Sequence, residues 1–217
     1  MSRNLLHLDA SARRNSLSRR LSAAFADAWR AAHPGGGYVY RDLAADPVPH
    51  IDEAWTQLCD HVLEHEITEI GRYAEAVRTP GQARAWSIVE PLLSEVVAAD
   101  VVLIGTPMYN FSVPAALKAW IDQITFPRMS LKGRRFVVVA ARGGAYGPGT
   151  PRAPFDHQER YLRDFFGGHF GVDDAVFVNA ELSNALIDPR LAHLRAEHAD
   201  SYEAALAAVR ALGGEAS

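Results

Sequence analysis

The chain has 217 residues, 48% of them hydrophobic and 22% charged, which suits one globular domain with a sizeable core. A net charge of −4 argues against a general affinity for nucleic acid or anionic membrane. No apolar run approaches the roughly 20 residues of a membrane span, and the single cysteine, Cys59, excludes an internal disulfide or a cysteine zinc cluster. Polar residues interrupt the first ten positions too early for a signal-peptide core, so a cytoplasmic protein is expected.

In chain order, Leu5 to Leu8 reads as a first strand, and Asp9 to Ser18 as a polar loop. Leu21, Ala24, Phe25, Ala28 and Trp29 recur at helical spacing and stop before Pro34-Gly-Gly-Gly37. Tyr38-Val-Tyr40 is a second strand, and Asp46-Pro-Val-Pro49 a turn. Residues 52–78 read as one or two helices stopped by Thr79-Pro-Gly81, and 83–98 as another. Strand three is 101–105, followed by a helix over 113–124. Strand four, Phe136 to Ala141, ends in Arg142-Gly143-Gly144. A helix over 156–168, a fifth strand over 175–178 and a final amphipathic helix over 189–212 complete the chain. Strands alternating with helices mean βαβ units, hence a single α/β domain over 1–217 with a parallel sheet. Five strands suit a flavodoxin-like order 2-1-3-4-5 or half of a dinucleotide fold, with an extra helical region at about 46–99.

Three loops follow strands at what must be the same sheet edge. The first carries Ser11, Ser16, Leu17 and Ser18 at the start of a helix, where free amides and hydroxyls make an anion site. It contains neither G-x-G-x-x-G nor G-x-x-x-x-G-K-[ST], which leaves a single terminal phosphate as the natural guest. The second, Pro107-Met108-Tyr109-Asn110-Phe111, offers flat or soft apolar surface beside amide donors. The third, Ala141 to Gly144, has two glycines that let backbone approach a ligand. Serine capping, a core turn and a flexible loop would each explain one of them. Together they describe a site for flavin mononucleotide, FMN. Tyr146 and His157 are within reach by chain position as proton donors. His61 and His65 stand four apart beside acids, and read as a solvated or interfacial helix face, with no metal expected.

Leu8-Asp-Ala-Ser11, Ser16-x-Ser18 with Leu21, Arg41-Asp-Leu-Ala44 with Pro47, Pro107-Met-Tyr-Asn-Phe111, Leu117-Lys118 and Arg142-Gly-Gly144 resemble the FMN-dependent NADH-azoreductases and NADH:quinone oxidoreductases. These belong to the flavodoxin-like superfamily. The resemblance implies a three-layer flavodoxin-like sandwich with a five-stranded parallel sheet. It implies that Ser11 and Ser16 to Ser18 bind the ribityl phosphate. Met108 to Phe111 would lie along the isoalloxazine, and Ala141 to Gly144 would meet its other edge. It further implies a homodimer with sites at its interface, in which NADH or NADPH drives two-electron, ping-pong reduction of quinones and azo compounds. The helices of 52–98, with Trp55, Leu58, Val62, Ile67 and Ile70 in amphipathic spacing, are the expected interface. The segment Thr125 to Leu131 is shorter than the loop that helps wall the substrate pocket in relatives, so a more open pocket is expected. A flavodoxin-type carrier serving protein partners, and a flavin-free binding domain, are the competing readings.

Overall fold

The computed structural model describes residues 3–215. β1 (Asn4–Asp9) leads into α1 (Leu17–Ala32), and β2 (Gly37–Asp42) into α2 (Glu53–Glu64) and α3 (Pro80–Ala98). β3 (Val101–Pro107) precedes α4 (Ala115–Ile124), β4 (Arg135–Ala141) precedes α5 (His157–Phe165), and β5 (Val176–Ala180) precedes α6 (Arg195–Gly213). All neighbouring strands pair in parallel, in the order β2-β1-β3-β4-β5.

The unbroken apolar runs of β3 and β4 arise because both sheet faces are covered. Alternate residues point to opposite layers. Val101, Leu103, Val137 and Val139 pack with Leu21, Phe25 and Trp29 of α1 and Val209 of α6. Val102, Ile104, Phe136 and Val138 pack beneath the helices of the other face, with Leu58, Val89, Trp120 and Leu162. Each such fully buried side chain contributes about 1.5–3 kcal/mol.

Several boundaries differ from the sequence reading, each for a local reason. Residues 52–78 are not continuous helix. α2 ends with Ile67 N–H donating to the Val62 carbonyl (2.9 Å) and Glu66 N–H to the Leu63 carbonyl (3.2 Å), with Glu66 at φ 51°. This is a Schellman ending with glutamate where glycine or asparagine usually signals it. A 3₁₀ segment, Ile70–Ala76, follows. Thr79-Pro-Gly81 starts a helix as well as ending one. Thr79 Oγ1 accepts from Gln82 N–H (3.2 Å), Gln82 Oε1 accepts from Thr79 N–H (3.1 Å), and Pro80 takes the first helical position. α5 stops at Phe165 and continues as a π-helical turn, Phe166–Phe170, while Pro189–Leu194 is 3₁₀ before α6 begins.

The apolar faces of 52–98 turn inward. Trp55, Leu58, Val62 and Ile67 are buried in the molecule's own core and Ile70 is packed against it, so they are not available to a partner. The short segment after α4 enters the same core. Phe126, Met129 and Leu131 are buried there, with Phe126 stacked on Tyr73 at 4.8 Å between ring centroids.

Candidate functional site

The carboxyl ends of β1, β3 and β4 surround one cleft of about 460 Å³. Ser11, Ser16, Leu17 and Ser18 form one wall, Pro107 to Phe111 a second, and Ala141, Gly143 and Tyr146 a third. The sheet order makes this convergence inevitable, because β1 and β3 diverge to opposite sides of the crossing point.

On the first wall, Ser16 caps α1, its Oγ accepting from Arg19 N–H at 3.2 Å. Its hydroxyl lies 3.2 Å from Ser18 Oγ, and both residues are buried with Ser11 at the base of the cleft. Capping uses one lone pair of Ser16, and the bond between the two hydroxyls engages one O–H of the pair and leaves the other. The first-turn amides of α1 point the same way. Arg13 and Arg20 border this end, and no carboxylate lines the cleft among the described residues, although the whole chain is acidic. The serine loop is held from behind by Arg19. Its Nη2 donates to the Ser11 carbonyl (2.7 Å) and to Asp42 Oδ1 (2.6 Å), with Asp9 3.7 Å from Nη1. Burial works against the Arg19 charge, but the Asp42 hydrogen bond and Asp9 outweigh it and raise its pKa.

The second wall is a two-residue hairpin. Tyr109 and Ser112 exchange both backbone hydrogen bonds, at 3.0 and 2.9 Å. Asn110 (φ 48°) and Phe111 (φ 67°) occupy the two left-handed positions of a type I′ turn. Their N–H groups take no part in that exchange, and both residues line the cleft. Gln158, buried on α5, ties the turn down by donating to the Pro107 carbonyl at 2.8 Å.

The third wall bends sharply after β4. Gly143 is forced by close approach: a Cβ there would stand 2.7 Å from Asn184 Nδ2. Arg142, expected at this edge, is turned away from the cleft. Its side chain is 2% exposed and bonds Asp156 Oδ2 (2.8 Å) and Glu159 Oε2 (3.2 Å), with Glu181 at 3.6 Å. Its N–H is used by the Ala180 carbonyl (2.8 Å), so neither its backbone amide nor its guanidinium faces a ligand. Gly144 lies behind the wall in an adjoining cavity. Tyr146 lines the cleft and meets Phe111 edge-on, whereas His157 is exposed at the start of α5, outside it.

Sequence reasoning missed the segment after β5. Ser183, Asn184, Leu186 and Ile187 complete the cleft. The chain reaches them through Leu182 at φ 61°, with Leu182 N–H bonded to the Gly144 carbonyl (3.1 Å) and Asn184 N–H to the Gly143 carbonyl (3.1 Å). Nothing in its composition marks it, except a run of two exposed aliphatics. The segment Thr125 to Leu131 does not reach the cleft; the walling role falls to Tyr146 and Ser183 to Ile187. Among the described residues, three of the five non-glycine residues with positive φ, Asn110, Phe111 and Leu182, stand at or beside this cleft, where such strain concentrates when geometry is functional.

The sequence profile of the family described as flavodoxin-like fold matches residues 3–206. A protein of Nocardia farcinica named FMN-dependent NADH:quinone oxidoreductase is 68% identical over 97% of this chain and 98% of its own length. A Frankia alni protein of the same name is 39% identical, covering 94% of each chain. The chain therefore belongs to the FMN-dependent NADH:quinone oxidoreductase family, within the flavodoxin-like fold. Among solved structures, an azoreductase from Bacillus anthracis superimposes with a TM-score of 0.75 at 21% identity, over 98% of this chain and 99% of the other. A Bacillus anthracis FMN-dependent NADH-azoreductase in complex with FMN gives 0.74 at 20%, over 97% and 99%, and both share the fold.

Proposed function

We propose that the cleft binds FMN and that the protein is an NADH:quinone oxidoreductase that also cleaves azo compounds. The carrying observation is the meeting of a buried serine anchor, a type I′ aromatic turn and a glycine wall in one acid-free cleft. The donor set fits the cofactor at both ends. Hydroxyls and helix amides suit a phosphate. Free amides beside Tyr109 and Phe111 suit a flat, polar-edged ring. When bound, FMN supplies the two-electron chemistry between reduced nicotinamide and acceptor.

The chain's own residues bind and orient. Ser11, Ser16, Leu17 and Ser18 hold the phosphate, while Pro107 to Phe111, Ala141 and Gly143 flank the ring. The amide of Gly143, which lines the cleft, would supply an electrostatic effect of the oxyanion-hole kind at that edge. Tyr146 faces the same space and is the candidate proton donor. One cleft serves donor and acceptor in turn, which is the basis for ping-pong kinetics. A cytoplasmic setting follows from the use of NADH.

We also propose a homodimer, now through the cleft's rim. Tyr109, Phe111, Phe155, Leu186 and Ile187 are exposed apolar side chains gathered at or beside the mouth, with Ile187 at 66%. Such a patch marks an interaction site more readily than free surface.

The test is the serine anchor. Charge-assisted hydrogen bonds to phosphate are worth about 1.5–3 kcal/mol each. The double variant Ser16→Ala, Ser18→Ala is expected to weaken FMN binding by about a hundredfold or more, measured by flavin fluorescence quenching. Unchanged affinity would remove the phosphate assignment.

A further inference from the structure

The start of α5 stands outside the cleft yet ties two of its walls together. Asp156 accepts from Arg142 Nη1 (2.8 Å) and Glu159 from Arg142 Nη2 (3.2 Å), which fixes this end of the helix to the end of β4. Gln158, between them, reaches the other wall. Its Nε2 donates to the Pro107 carbonyl (2.8 Å) and faces the Ser112 carbonyl at 3.4 Å. Those two carbonyls flank the hairpin that carries Tyr109, Asn110 and Phe111 into the cleft. The aromatic turn and the glycine wall are therefore anchored to one turn of helix behind them.

Gln158 is 1% exposed and is not part of the cleft lining, so it acts on a ligand only through the turn. Two carbonyls on one side settle its orientation, because only the NH2 end of the amide can donate. Its Oε1 is then buried and, among the described residues, without a donor. A bare buried acceptor destabilises the fold, and leucine would fill similar space without one. What glutamine adds here is the pair of N–H groups aimed at the turn. The turn needs them because it is strained, with Asn110 at φ 48° and Phe111 at φ 67°. Such residues hold their conformation only where the surroundings over-determine it. The backbone bonds between Tyr109 and Ser112 close the tip, and Met108 N–H holds the Ala141 carbonyl (2.9 Å). Thr106 Oγ1 also donates to the Pro107 carbonyl, at 3.2 Å, but among the described residues Gln158 alone supplies a side chain that reaches both ends.

We propose that Gln158 is a positioning residue for the flavin ring. Its NH2 holds both ends of the 107–112 turn, and through them the placement of the Asn110 and Phe111 backbone against the ring. It does not act on the serine anchor, which is held separately by Arg19. The proposal rests on the FMN reading of the cleft.

The test titrates apoprotein with FMN and with lumiflavin, which has the ring but neither the ribityl chain nor the phosphate. Gln158→Leu is expected to weaken both by about tenfold, the size of one net hydrogen bond. Ser16→Ala with Ser18→Ala should weaken FMN and leave lumiflavin unchanged. Gln158→Glu gives a readout that packing alone would not move. Protonated, its O–H can still donate to the Pro107 carbonyl; ionised, it cannot, and it confronts two carbonyl oxygens. Burial and those oxygens raise the pKa of such a carboxyl. Relative to wild type, Gln158→Glu should therefore bind lumiflavin almost normally at about pH 5.5 and no better than Gln158→Leu at about pH 8.5. Lumiflavin affinity unchanged in Gln158→Leu, or a Gln158→Glu to wild-type ratio that does not vary with pH, would overturn the proposal. Should the glutamate variant unfold, the neutral leucine variant decides alone. A wild type that binds FMN but not lumiflavin also overturns it, because the ring contacts would then carry no measurable affinity. A wild type that binds neither compound overturns the FMN reading itself, and this proposal falls with it.

Discussion

Arg142→Met puts the charge cluster behind the glycine wall to the test. In the native protein the guanidinium faces Asp156, Glu159 and Glu181, whose side chains are 15%, 22% and 19% exposed. Methionine keeps the apolar stem and removes the one cation that, among the described residues, reaches all three acids. Removing one member of a buried ion pair costs about 3–5 kcal/mol. Because these carboxylates retain some solvent, roughly 2–4 kcal/mol is a better expectation. For a domain of this size that is a fall in Tm of about 5–15 °C.

The effect carries a pH signature. Burial pushes the Glu159 carboxyl up, but hydrogen bonds from Asn179 and Arg163 and the charges of Arg163 and Arg142 outweigh it, leaving it below its ordinary value of 4.5. A depressed folded pKa contributes stability that is present above the ordinary value and is lost as pH falls through the folded one. Removing Arg142 takes away part of that contribution. The gap between wild type and variant is therefore largest near neutral pH and narrows below about pH 4.5. Urea unfolding followed by circular dichroism at pH 7.5 and pH 4 measures both. A difference under about 0.5 kcal/mol at neutral pH, or one that does not narrow in acid, would refute the account.

Other consequences are simpler to check. Ile187→Glu places a charge in the exposed apolar rim; light scattering is expected to shift from a dimer toward the 23.7 kDa monomer, and a wild type that is already monomeric would end the dimer proposal. Phe111→Gly relieves a left-handed φ at a bulky residue, so the apoprotein should gain about 1 kcal/mol in denaturant unfolding while FMN binding weakens. Burial raises the Cys59 thiol to about 12, so it should resist a disulfide reagent at pH 8 in the native state and react at once in denaturant.

The sheet was legible because buried parallel strands are written as unbroken apolar runs, Val101 to Ile104 and Phe136 to Ala141. Two walls of the cleft were legible because the serines at a helix start and the Asn-Phe after a buried strand, each with an ordinary explanation alone, had to fall at one edge of the sheet. The direction of Arg142 was not. An arginine before two glycines reads as a ligand group until the carboxylates from α5 and from the end of β5 are brought to it, and those lie 14, 17 and 39 positions away in sequence. The Ser183–Ile187 wall was hidden for a related reason. It depends on Leu182 adopting φ 61°, which leucine does not advertise. The helices of 52–98 carried a correct amphipathic pattern whose destination was the molecule's own core. Periodicity gives the buried face and is silent on what buries it.

These misreadings share one cause, and it bears on how the cleft keeps its shape. The parts visible in sequence, Ser16 to Ser18 and Pro107 to Phe111, are those that would touch the cofactor. The hidden parts hold them from behind. Arg19 braces the serine loop through the Ser11 carbonyl, Gln158 braces the aromatic turn through the Pro107 carbonyl, and Glu181 braces the third wall by accepting from Tyr146 N–H at 2.8 Å. Each brace is a long side chain, reaching a backbone carbonyl from Arg19 and Gln158 and a backbone amide from Glu181. The left-handed residues at 110, 111 and 182 cost on the order of 1 kcal/mol each and persist because the surroundings over-determine them. A site assembled in this way is shaped before any ligand arrives. Substitutions at the braces are thus expected to loosen every cleft function together, whereas changes in the lining act on one ligand at a time.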